Sequence, residues 1–173
     1  NTFEALRIIG SPCSDKLVGQ HANDSLMGES GRDLLKGKLG DDFIKGGQGS
    51  DSLKGGKNND TLYGNKGKDL LLGQHGADQL KGGYGSDVIK GGRGMDTIQG
   101  GQGHDTLSGG DGADTFYLSR GQDTIRDFSI TDGDVITAPK QHDLSLIQQG
   151  NHLLLTDLDN NIKTPLLNTN SDD

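Results

Sequence analysis

Gly82-Gly83-Tyr84-Gly85-Ser86-Asp87-Val88-Ile89-Lys90 is one of thirteen consecutive nine-residue units that fill Gly10 to Arg126 without an insertion or deletion. The sixth position is aspartate in every unit: Asp15, Asp24, Asp33, Asp42, Asp51, Asp60, Asp69, Asp78, Asp87, Asp96, Asp105, Asp114 and Asp123. The eighth is always large and apolar: Leu17, Leu26, Leu35, Ile44, Leu53, Leu62, Leu71, Leu80, Ile89, Ile98, Leu107, Phe116 and Ile125. Glycine holds the first position in twelve units, with Leu118 the exception. It holds the fourth in ten, where Cys13, Ala22 and Asn58 depart.

The 173 residues leave room for one domain with a small cap. Composition alone points to disorder: 29% hydrophobic, 4% aromatic, thirty glycines and a net charge of −8. Such chains bury too little apolar surface to offset their conformational entropy. The strict period overrides that reading, because a disordered chain has no use for an apolar residue at every ninth place. Self-similarity at a fixed period marks a solenoid, in which each unit completes its core with its neighbours.

Within a unit the pattern predicts a glycine-rich turn of about six residues and a strand of about three. Alternation along the strand turns the eighth side chain inward and the seventh and ninth outward. The outer places hold Lys36, Lys45, Lys54, Lys81 and Lys90, or Thr97, Thr106, Thr115 and Thr124. Two units make one coil, so the units alternate between two parallel sheets around one thin aliphatic core. At roughly 4.7 Å per coil the rod is roughly 30 Å long. Ala5-Leu6-Arg7-Ile8 reads as a leading strand over the open end, within a capping segment of residues 1–9.

Residues eighteen apart stack above one another. Asp24, Asp42, Asp60, Asp78, Asp96 and Asp114 form one column, and the other seven aspartates form the second. Unpartnered carboxylates at coil spacing repel, and the lysines are too scattered to neutralise them. The missing counter-charge is a divalent cation. The turns offer only hard oxygens, carboxylates and backbone carbonyls, with no ordered His or Cys set for zinc or copper. Such a donor set suits Ca2+ better than small, water-retaining magnesium.

The unit closely resembles the nonapeptide Gly-Gly-x-Gly-x-Asp-x-U-x (U large and apolar) of the RTX, or repeat-in-toxin, hemolysin-type calcium-binding family. The resemblance implies an all-β fold, a right-handed parallel β-roll or β-helix solenoid with Ca2+ in the turns of both edges. It also implies a ligand scheme. One turn gives its sixth-position carboxylate and the carbonyls of positions two and four; the turn one coil later gives its carboxylate and the carbonyls of positions one and three. Between Asp78 and Asp96 these are Gln74, Gly76 and Asp78, then Gly91, Arg93 and Asp96. Along the roll the scheme implies first-position carbonyls of Gly28, Gly37, Gly46, Gly55, Gly64, Gly73, Gly82, Gly91, Gly100 and Gly109. At position two it implies Gly47, Gly56, Gly83, Gly92, Gly101 and Gly110. At position four it implies Gly31, Gly40, Gly49, Gly67, Gly76, Gly85, Gly94, Gly103 and Gly112. Six gaps on one edge and five on the other set a ceiling of about eleven ions. The turns of Cys13, Ala22, Asn58 and Leu118 break the glycine pattern and are the least secure.

Beyond Arg126 the period stops, and residues 127–173 read as a C-terminal cap. Asp127-Phe128 and Gly133-Asp134-Val135-Ile136 look like the family's closing segment. Strands are expected over 143–147, 152–156 and 162–167, with a turn over 157–161. Phe128 and Leu153-Leu154-Leu155 are expected to cover the last coil. The resemblance also implies a C-terminal signal for type I secretion machinery near this tail.

Other features carry less. Asp157-x-Asp-x-Asn begins like an EF-hand loop but lacks its central glycine and ends at Asn168, not Glu. His21, His75 and His104 fall in solvent-facing turn positions. Cys13 has no partner for an internal disulfide and reads as a small side chain in a glycine place. The ninth-position lysines read as a solvated sheet face. No apolar run reaches the ~18 residues of a membrane span, and no signal peptide stands at the start. The chain opens at Asn1, as expected of a processed product or a piece of something longer.

The leading reading is a calcium-binding module of a secreted, extracellular protein, disordered without calcium and folding when calcium binds. It is expected to be a monomer with no nucleic-acid partner. The chain holds no nucleophile elbow, His-Glu-x-x-His or phosphate loop, so no catalysis is expected of it. The alternatives are the C-terminal part of a larger secreted protease, lipase or toxin, or a surface-layer or adhesion protein. Ice binding would want a regular Thr/Asn array, which the irregular third positions (Gln48, Lys57, Lys66, His75, Tyr84) do not supply.

Overall fold

The structure, a computed structural model, describes residues 4–117, 119–137, 144–149 and 152–157. All its regular elements are strands. Two short ones lead, β1 (Arg7–Ile9) and β2 (Lys16–Val18). Ten strands of six residues follow: β3 (Ser25–Ser30), β4 (Leu34–Leu39), β5 (Phe43–Gln48), β6 (Ser52–Lys57) and β7 (Thr61–Lys66), then β8 (Leu70–His75), β9 (Gln79–Tyr84), β10 (Val88–Arg93), β11 (Thr97–Gln102) and β12 (Thr106–Asp111). β13 (Thr115–Tyr117), β14 (Gln122–Ile125) and β15 (Val135–Thr137) finish the roll, and β16 (Leu144–Gln149) and β17 (His152–Asp157) form a hairpin.

The odd strands β1 to β15 make one eight-stranded parallel sheet in chain order. The even strands β2 to β14 make the other, which β17 and β16 extend antiparallel beyond β14. Partners lie eighteen residues apart, as in Val88↔Thr106 and Ile89↔Leu107. A crossover every nine residues therefore builds a parallel β-roll. All thirteen eighth-position side chains are buried between the sheets, most of them completely. Full burial of such a side chain contributes about 1.5–3 kcal/mol. Seventh and ninth side chains point out, Lys45, Lys81 and Lys90 being exposed.

The strands are twice as long as the sequence pattern predicts. Each runs from position seven through position three of the next unit, and the turn shrinks to positions four to six. Position one lies in mid-strand, and the pairing skips it: Met27↔Lys45 is followed by Glu29↔Gly47. The chain stays extended past its aliphatic residue because a first-position glycine packs inward where a side chain has no room.

Both ends of the odd sheet keep the register. β1 pairs with β3 so that Ile8 lies opposite Leu26, and Ile8 packs against the core. At the other end Thr115↔Val135 is a step of twenty, two residues more than the period. Phe128, in that longer connection, sets its ring 6.2 Å from that of Phe116. β16 and β17 fall on two of the three expected tail strands. The third, over 162–167, the turn over 158–161, the rest of the EF-hand-like stretch and the side chains of Leu153-Leu154-Leu155 lie outside the described residues.

Candidate metal centre

Each sixth-position aspartate sits where the turn enters its strand, which sets the two columns on opposite edges of the roll. Within a column the backbone N–H of one aspartate donates to Oδ1 of the next: Asp78 to Asp96 at 2.8 Å, and Asp87 to Asp105 at 2.8 Å. This bond recurs from Asp15 to Asp33 up to Asp105 to Asp123. At the lower end Leu6, one coil before Asp24, donates to Asp24 in the same way at 2.7 Å. At the upper end Asp114 donates to Asp134 at 2.9 Å, so Asp134 extends its column to a seventh member. The fixed period hides Asp134 because two extra residues precede it, yet Asp134-x-Ile136 keeps the spacing of aspartate and inward aliphatic.

The second carboxylate oxygen is different. Oδ2 of Asp33, Asp42, Asp51, Asp60, Asp69, Asp78, Asp87, Asp96, Asp105 and Asp114 is buried and has no hydrogen-bond partner. These ten residues are 1–3% exposed. Leaving so many buried acceptors unsatisfied costs about 1–3 kcal/mol each, more when charged. Each faces a cradle over a first-position glycine. A Cβ on Gly91 would press on the Asp96 carboxylate and lie 2.6 Å from the carbonyl oxygen of Gly109, one coil on. Gly28 and Gly46, Gly37 and Gly55, Gly64 and Gly82, and Gly82 and Gly100 stand in the same relation. The carbonyls of Gln74 and Gly76 abut Gly92 and Gly94 of the next coil, where no Cβ would fit either. Arg93 is less free, since its carbonyl accepts the Gly76 N–H at 2.9 Å.

In the ten units from Gly28 to Tyr117 two places have backbone in the left-handed region, as at Gly92 (φ 128°) in position two and Gly94 (φ 130°) in position four. Non-glycine residues are forced into it as well, among them Glu29 (77°), Lys38 (94°), Asn65 (80°) and Gln74 (87°) at position two and Asn58 (77°) at position four.

Burial, more than anything else, pushes the metal-free carboxyls up from 3.8: Asp42, Asp78 and Asp87 to about 6, Asp69, Asp96 and Asp123 to about 7, and Asp60 to about 8. The N–H donated within the column opposes this, and for most of them the neighbouring aspartates add to it. Asp33, Asp51, Asp105 and Asp114 are raised for the same leading reason. His75 pulls Asp78 down slightly, and His104 does so for Asp105.

Stacked carboxylates with one oxygen each unspent, facing cradles rimmed by carbonyls, fit a hard divalent cation. Among the described residues no three of His, Cys, Asp and Glu gather as a metal-binding group, the arrangement a zinc or copper site requires. His21, His75, His104 and Cys13 are exposed. Three of the thirteen aspartates depart from the pattern. Asp15 Oδ2 accepts from Ser11 N–H at 2.6 Å and Asp24 Oδ2 from Gln20 N–H at 2.6 Å. Asp123 Oδ2 accepts from the Ser119 hydroxyl at 3.4 Å. Those are the turns of Cys13, Ala22 and Leu118, where the glycine pattern fails; the Asn58 turn leaves Asp60 Oδ2 unpartnered like the rest.

The family model of the RTX calcium-binding nonapeptide repeat (4 copies) matches residues 7–35, 22–53, 36–71, 72–94 and 90–125. No curated protein matches the chain.

Proposed function

The chain belongs to the RTX calcium-binding nonapeptide repeat family, and on that premise we propose that it is the calcium-dependent folding module of a secreted protein. The supporting observation is the set of ten buried, unpartnered Oδ2 atoms. Bound calcium supplies the positive charge and ligand demand that those oxygens lack. Gln74, Gly76 and Asp78 on one turn, with Gly91, Arg93 and Asp96 on the next, hold one such ion. Corresponding residues hold the others along both edges.

The chain's own residues then account for the coupling of binding to folding. The aspartate columns exist only when the coils are stacked, so the metal-binding free energy is folding free energy. A single aliphatic spine, thirteen side chains long, is set against the desolvation of ten carboxylates. Extracellular sites bind with Kd of roughly 10⁻⁴–10⁻³ M. At about 100 times Kd each contributes ~2.7 kcal/mol, so several decide the outcome. A chain held unfolded where calcium is scarce can be threaded out of a cell and fold outside it. We read the module itself as non-catalytic. Circular dichroism checks the coupling: millimolar calcium should give a β spectrum, and excess chelator should abolish it. A β spectrum indifferent to chelator would sink this reading.

A further inference from the structure

The turns of this roll are of two kinds. In the ten units from Gly28 to Tyr117 the second-position residue has positive φ, and in the same ten units the aspartate Oδ2 has no partner. In the first, second and thirteenth units the second-position residues Ser11, Gln20 and Ser119 are outside the left-handed region, and there Oδ2 is bonded. The correspondence is complete, and it has a cause. With ordinary backbone angles at position two, the N–H of Ser11 or Gln20 points into its own turn and donates to its own aspartate. With left-handed angles that N–H is turned away, and the carboxylate oxygen is left for something else.

Each of the first two turns carries a further hydrogen bond, that of the second reaching the next coil. The Ser11 hydroxyl gives Asp15 Oδ2 a second bond at 2.9 Å, and the Gln20 carbonyl accepts the Leu39 N–H at 3.3 Å. Neither turn has a fourth-position glycine: Cys13 and Ala22 stand there, outside the left-handed region.

Resting on the calcium reading above, we propose that calcium loads only the ten gaps whose lower turn is central, five on each edge, and that the first coil closes by itself without an ion. The residues at positions two and four decide which kind a turn becomes. Ser11, Cys13, Gln20 and Ala22 make the lowest gap on each edge self-satisfied, while Asp134 closes the uppermost gap of its column. The starting end of the roll is therefore a metal-independent coil on which the loaded coils stack.

Native mass spectrometry of the full chain, equilibrated in millimolar calcium, counts the ions directly. Ten are expected. The double variant Asp15→Asn/Asp24→Asn, whose amide oxygens can still accept the Ser11 and Gln20 N–H although residue 24 then loses the bond from Leu6, should still carry ten, and Asp33→Asn should lose one. The quadruple variant Ser11→Gly/Cys13→Gly/Gln20→Gly/Ala22→Gly should gain two. Twelve ions on the unaltered chain, or fewer ions on Asp15→Asn/Asp24→Asn, would overturn the proposal, as would a quadruple variant that folds and still counts ten. Should the variants not fold, the count on the unaltered chain decides alone. Binding of no calcium at all would instead overturn the calcium reading on which this rests.

Discussion

A methyl group on Gly91 would lie 2.6 Å from the Gly109 carbonyl and against the Asp96 carboxylate, although the Gly91 backbone is not left-handed. Glycine is needed there for space. Gln74, by contrast, sits at φ 87° with an exposed side chain, where only the backbone angle is awkward. The two positions therefore respond oppositely to substitution. Gly91→Ala should cost about 1–3 kcal/mol by overpacking and move the calcium midpoint of folding to higher concentration. Gln74→Gly removes left-handed strain of roughly 1–2 kcal/mol and adds roughly 0.5–1 kcal/mol of chain entropy. It should leave stability in calcium unchanged or raise it by up to about 1.5 kcal/mol. Thermal unfolding of both in calcium checks this; an unchanged midpoint for Gly91→Ala would remove the cradle from the account. The sequence held this distinction. Position one is glycine in all units but that of Leu118, whereas position two admits Glu29, Lys38, Asn65 and Gln74. A place fixed by φ alone would have been the less strict of the two, as position two is. A glycine kept for space and a glycine kept for its backbone angle look alike in the sequence.

The same ambiguity makes a strand three residues long in the sequence pattern and six in the fold. The inward row was legible from Leu17 to Ile125, because a period-nine aliphatic admits no other place than the core. The continuation of each strand through positions one to three was not, because glycine leaves no hydrophobic alternation to read. Neighbouring residues of β8 test the faces directly. Leu71 is fully buried between the sheets, while Leu70, one step along, is half-buried on the outer face. Leu71→Ala should cost about 2–5 kcal/mol, and Leu70→Ala less than about 1 kcal/mol, in chemical unfolding with calcium present. A larger cost at Leu70 than at Leu71 would mean that the sheets present the other face to the core, and equal costs that no single face is the core.

On the scale of the whole roll, the columns set how it responds to pH. Asp134 and Leu6 were hidden from the repeat pattern, one by a two-residue insertion and one by lacking a carboxylate, yet both join the hydrogen-bonded ladder. The ladder is thus a property of the stacking, and its cost lies in the buried carboxylates. In the metal-free fold burial pushes Asp42 up to about 6, Asp69 to about 7 and Asp60 to about 8, against 3.8 for an ordinary aspartate. Between those values the folded state holds more protons than the unfolded chain, so its stability falls as pH rises. Protonation of the columns therefore favours the metal-free roll fully below about pH 3.8, progressively less as pH rises from there, and no longer once pH has passed the raised values of about 6 to 8. In excess chelator the β signal should grow as pH is lowered from 8 to about 5, reversibly and independently of protein concentration. Salt separates this from the relief of surface repulsion in a chain of net charge −8. About 0.5 M sodium chloride at neutral pH screens exposed charges but leaves buried carboxylates desolvated. It should restore far less structure than acid does. If salt restores as much as acid, long-range repulsion and not the buried columns keeps the metal-free chain unfolded. A flat β signal across the whole pH range would show that protonating the columns is not enough to stack the coils.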